Sequence, residues 1–149
     1  MPEQAGTTAL PGRRPLAVLF VVTGLLLPLI PRWIVPKLFP YRHYLDDTAA
    51  SLIREPRWLA LFSAFAVVPF LALAVFSLFH LRGAEPALLR RRRLAIIVTF
   101  VALFALGWEC HLPQTSPGVN MAVLFFPFYA AIAGPMAYGL GRAVASRLH

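Results

Sequence analysis

The chain has 149 residues, 59% of them hydrophobic and only 13% charged, and its 14 Lys+Arg against 6 Asp+Glu give a formal net charge of +8. Soluble domains carry about 25% charged residues, so this balance excludes a disordered or nucleic-acid-binding tail and disfavours a soluble domain. The arginines stand in short clusters between long uncharged apolar runs, which is how membrane proteins set their orientation and not how a nucleic-acid face is built. The expected partners are therefore the lipid bilayer and another membrane protein, with no nucleic acid.

A transmembrane helix needs about 20 apolar residues, because the hydrocarbon core is ~30 Å thick and each residue rises ~1.5 Å. The first uncharged run, Pro15 to Pro31, has 17 residues and follows Arg13 and Arg14. Its length suits a signal-peptide core, but no small-x-small cleavage site follows and the run leaves through Leu29-Ile30-Pro31-Arg32-Trp33, so an uncleaved span over about 15–35 is expected. Pro28 lies inside it, and a proline there removes a backbone donor and can kink the helix.

The stretch from Pro36 to Pro56 is the largest extramembrane segment. Asp46 or Asp47 can cap a short amphipathic helix carrying Leu45, Ala49, Leu52 and Ile53 on one face, suited to lying on the bilayer surface. The second uncharged run, Trp58 to Leu81, has 24 residues and predicts a span over 58–81, interrupted by Pro69. Its phenylalanines, Phe62, Phe65, Phe76 and Phe79, read as packing or lipid-facing residues.

After the block Arg90-Arg91-Arg92-Arg93, an uncharged run of 15 residues reaches Trp108, and it spans only if Glu109, Cys110 and His111 sit among the headgroups, giving a proline-free third span over about 94–112. The turn-like Leu112 to Gly118 precedes a fourth span over about 119–141, interrupted by Pro127 and Pro135. In that span Ala133, Ala137 and Gly141 recur every four residues, with Ala130 and Gly134 alongside. Small residues let helices approach closely where lipid gives no hydrophobic drive, so this stripe marks a packing helix, its partner lying within the chain or outside it.

The expected fold is thus an all-α integral membrane protein: one polytopic domain, a bundle of four transmembrane helices, and a short amphipathic helix in the first outer loop. Alternate connections carry nine and five Lys/Arg, which places both termini in the cytoplasm, with the four-arginine block as the main determinant. Trp33, Trp58 and Trp108 then all fall at the outer boundary, where an apolar ring with one N–H is at home. Arginine outnumbers lysine 13 to 1 amid abundant Ala, Pro and Leu, the usage of a GC-rich bacterial genome, and the expected location is the bacterial inner membrane.

The polar residues suggest one cluster, at the outer end of the third span. Glu109 at that depth wants a partner, and Arg32, Arg54 and Arg57 are predicted level with it, so an interfacial ion pair is expected, with His111 beside it. A metal held by Glu109, Cys110, His111 and His43 fails on direction, since adjacent helical positions diverge. Paired-histidine haem ligation fails on depth, because His80 and His111 are predicted at opposite faces and His43 in a loop. The single cysteine, Cys110, excludes an intramolecular disulfide.

No phosphate loop, HExxH pair, GxSxG elbow or CxxC is present, so the chain is read as a non-enzyme without a cofactor. Three functions are compatible: an accessory or stabilising subunit of a larger membrane complex, an immunity protein that binds a pore-forming toxin, and a quinone- or haem-associated anchor using Glu109, His111 and Arg57. The immunity reading rests on a resemblance in size and helix count to small polytopic immunity proteins, with no shared motif.

Overall fold

The computed structural model describes residues 12–40, 49–113 and 121–147, with six helices and no strand among them. These are α1 (Arg13–Leu26), α2 (Ile30–Leu38), α3 (Ala49–Arg54), α4 (Pro56–His80), α5 (Pro86–Cys110) and α6 (Met121–Arg147). The three long helices are each apolar and long enough to cross a membrane; α1 and α2 meet those limits only as a bent pair and make a fourth span if the two cross together.

That first span departs from the single helix expected over 15–35: α1 and α2 meet at a bend of 62°. The cause is local. Pro28 and Pro31 lack amide donors, and the amide of Leu29 turns back to the Leu26 carbonyl at 2.9 Å, closing a tighter turn. The Leu25 carbonyl, which that amide would serve in a regular helix, instead accepts the Ser63 hydroxyl of α4 at 3.2 Å. Arg32 folds back and donates from Nη1 to the Pro28 carbonyl at 3.0 Å. Two side chains thus serve backbone acceptors around the bend.

The other prolines leave their helices unbroken: α4 runs through Pro69, and α6 through Pro127 and Pro135. Pro56 and Pro86 sit in the first turns of α4 and α5, where a missing amide costs nothing. Gly83, at φ 64°, takes the left-handed conformation in the turn between α4 and α5. Helix α5 starts earlier than the expected 94, so the four-arginine block is helical.

The bundle is two helical pairs, α1 with α4 and α5 with α6, docked against each other. Glycines set both close approaches. A Cβ on Gly24 would stand 2.9 Å from the Val67 Cα, and one on Gly141 would stand 2.8 Å from the Ala95 Cα. Between the pairs, Phe20 stacks on Phe100 at 4.8 Å, Phe70 meets Phe100 edge-on at 5.9 Å, and Phe126 lies 6.3 Å from Phe70. These rings draw one residue from each of α1, α4, α5 and α6, so the aromatic core fixes how the two pairs sit together.

The expected surface helix is only partly described, since Leu45, Asp46 and Asp47 lie outside the described residues. Its remainder, α3, buries Ala49 and Leu52 and contacts α2 and α4, leaving Ile53 59% exposed. Its small apolar face is thus turned to the protein.

Candidate functional site

The polar cluster expected around Glu109 separates into buried and exposed members. Glu109, Arg54 and Arg57 are exposed, and Glu109 forms no ion pair among the described residues. Arg32 is 1% exposed, tucked against the bend, with its guanidinium 5.4 Å from the Phe62 ring centroid. His111 is fully buried; its Nδ1 lies 2.8 Å from the Gly107 carbonyl one turn back, and its ring meets Phe126 edge-on. Arg32 and His111 therefore close one end of the bundle from inside. His43 lies outside the described residues, and no group of three potential metal ligands occurs among those described.

Trp33, Trp58 and Trp108 sit on α2, the first turn of α4 and the last turn of α5, all toward that same end. Trp33 carries the Lys37 ammonium over its ring at 3.6 Å. On α6, Ala130, Ala137 and Gly141 are buried and Ala133 and Gly134 half-buried. The closest neighbours of Gly141 are Ala95 and Val98, and that of Gly134 is Leu103, so at these two positions the stripe meets α5 of the same chain.

The opposite end is basic. Among the described residues it gathers Arg13, Arg14, Arg82, Arg90, Arg91, Arg92, Arg93, Arg142 and Arg147, against the single acid Glu85. Arg90 and Arg91 are exposed, whereas Arg92 is half-buried and donates to the His80 carbonyl at 2.8 Å, capping the end of α4. One arginine of the block thus joins α4 to α5.

Between α4 and α6 a lateral groove of about 660 Å³ runs toward this basic end. Val68, Pro69, Ala72 and Phe76 form one wall, Pro127, Ala131, Gly134 and Pro135 the other, and Thr99 and Leu103 of α5 lie between them. The in-helix prolines Pro69, Pro127 and Pro135 all line it. The Thr99 hydroxyl is turned inward to its own helix, donating to the Ala95 carbonyl at 2.8 Å, so it adds little polarity. At the basic end the groove closes on His80 and Tyr138, whose Nε2 and hydroxyl are 2.6 Å apart. Phe76 stacks on the imidazole at 4.7 Å and meets the phenol edge-on, and the charges of Arg92 and Arg142 both act on His80.

Sequence reasoning did not single out this site. His80 and Tyr138 are 58 residues apart, and nothing in either segment announces their contact. The usable signal was that His80 and Tyr138 stand near the same ends of their two spans, close to the arginines.

The class so defined is an all-helical bundle with three helices, or four with the bent pair, able to cross a membrane. Comparison with protein-family models, characterised proteins and solved structures gives no match.

Proposed function

We propose that this chain is a small, non-catalytic integral membrane protein that packs as an accessory or stabilising subunit against a larger complex of the bacterial inner membrane, with both termini in the cytoplasm. The observation that carries this reading is the outer face of α6. Phe125, Phe128 and Tyr129 form an aromatic cluster there, with ring separations of 6.2 and 6.4 Å, and they are 45–65% exposed. Tyr129 stands eight residues into the helix, roughly 12 Å from its start, and its hydroxyl has no hydrogen-bond partner among the described residues. A lone hydroxyl turned to hydrocarbon is costly, and a neighbouring helix that supplies a carbonyl or polar side chain relieves it. Aromatic anchors of this kind are also what interfaces concentrate.

The test is a photo-crosslinker at Phe128, used in cells before gentle detergent extraction. A stoichiometric protein adduct is expected, and Tyr129→Phe should weaken retention of that partner about fivefold, the worth of ~1 kcal/mol for one interhelical hydrogen bond. Adducts to lipid alone, from a chain that purifies as a monomer, would overturn the reading.

A further inference from the structure

We infer that the groove between α4 and α6 is a binding site for one anionic phospholipid, which lays an acyl chain along the groove and sets its phosphate at the His80–Tyr138 end. The inference goes beyond the accessory role and does not depend on it, because the groove and the Phe125–Tyr129 cluster occupy different faces of α6.

Length is the first argument. From Val68 to His80 along α4 the groove covers twelve residues, roughly 18 Å at ~1.5 Å per residue, whereas one leaflet of hydrocarbon is about half of a ~30 Å core. The groove is therefore one leaflet deep and ends at a membrane boundary. A transmembrane helix from another protein would need a path through both leaflets, and the lining stops at Val68 on α4 and Pro127 on α6. Its volume of about 660 Å³ lies within the range of small-molecule sites, about 300–1,000 Å³.

Chemistry is the second. The lining is apolar except at one end, where an imidazole and a phenol are joined at 2.6 Å under the charges of Arg92 and Arg142. A molecule fitting this pattern is long and apolar with a single anionic head, and basic pockets between helices at a membrane face are where acidic lipid headgroups settle. Of the nearby charges, Arg92 already serves the His80 carbonyl, which leaves Arg142, exposed and one helical turn beyond Tyr138 on α6, as the cation best placed to meet a phosphate. Proline placement fits as well: Pro69, Pro127 and Pro135 line the groove, where each presents an apolar ring and no amide donor.

The full chain is purified in mild detergent, stripped of lipid, and offered phosphatidylglycerol, phosphatidylethanolamine or decylubiquinone, with bound molecules counted by native mass spectrometry. One phosphatidylglycerol per chain is expected, held in clear preference to phosphatidylethanolamine. Arg142→Gln should weaken it roughly fivefold, from ~1 kcal/mol per arginine at a membrane surface. Ala131→Leu with Gly134→Leu, which fills the groove, should abolish it. Should that pair fail to fold, Ala72→Leu obstructs the groove from α4. Circular dichroism confirms folding in each case. Equal retention of both phospholipids, undiminished phosphatidylglycerol in a folded groove-filled variant, or displacement of the lipid by decylubiquinone would each overturn the inference.

Discussion

Gly141 of α6 lies against the backbone of Ala95 on α5, so closely that a Cβ at Gly141 would stand 2.8 Å from the Ala95 Cα and 3.2 Å from its carbonyl oxygen. Backbone cannot move aside as a flexible side chain does. Gly141→Ala must therefore part α5 from α6 locally, and overpacking of this kind costs about 1–3 kcal/mol. Gly139, two residues earlier, has nothing within 4 Å of its Cβ position, so Gly139→Ala is the matched control and should leave stability unchanged or slightly improved. Unfolding of the two variants in mixed micelles, followed by circular dichroism, separates a packed glycine from an open one.

The bend in the first span makes a second prediction. Arg32 Nη1 donates to the Pro28 carbonyl from a buried position, and the guanidinium also lies over Phe62 of α4. Arg32→Met keeps most of the aliphatic volume and removes the charged donor. The expected loss is about 1.5–3 kcal/mol, the range for hydrogen bonds to charged groups. Arg32→Lys should recover only part of it, since one ammonium lacks the planar fork that reaches a carbonyl and covers a ring together. A spin-label pair on α1 and α2 would show the bend loosening in Arg32→Met, and an unchanged distance with unchanged stability would refute the role given to this side chain.

These two sites also show where the sequence was readable. The apolar runs marked α4, α5 and α6 because span length depends on composition alone, and composition is local. Pro28 pointed to a kink, but not to its 62° angle or to the side chains that serve the acceptors around it, the Ser63 hydroxyl 38 residues from Leu25 and the Arg32 guanidinium four residues from Pro28. The small-residue stripe of α6 was legible as a packing face, but its partner at Ala95 was not, since a glycine records that something comes close and not what. The grouping of Glu109 with three arginines failed for the same reason. Span length alone places them toward one end of the bundle, while the azimuth that buries Arg32 and exposes Glu109 depends on how the helices are rotated against one another.

Glu109 accordingly gives a third prediction. It is exposed at the end of α5 and has no ion-pair partner among the described residues. Glu109→Gln should change stability by no more than about 0.5 kcal/mol, as for surface substitutions away from specific contacts. A larger loss in the same micelle unfolding assay would mean that the carboxylate is bound in the membrane by a group outside the described residues.

The arginine block offers the last prediction, because two of its members can be assigned different work. Arg90 and Arg91 are exposed, while Arg92 caps α4 through the His80 carbonyl. If the block sets orientation, replacing all four of Arg90 to Arg93 by asparagine leaves five Lys/Arg on each side, and reporter fusions at the two termini should register mixed topologies. Restoring Arg90, Arg91 and Arg93, with Arg92 left as asparagine, should recover a single orientation, since the rule counts charge near the span and not contacts. That partly restored chain should still be less stable by about 0.3–1 kcal/mol, the worth of a cation at a helix C-terminus. A single orientation in the fully substituted chain would show that the remaining arginines, or the order in which the spans insert, decide which face each loop occupies.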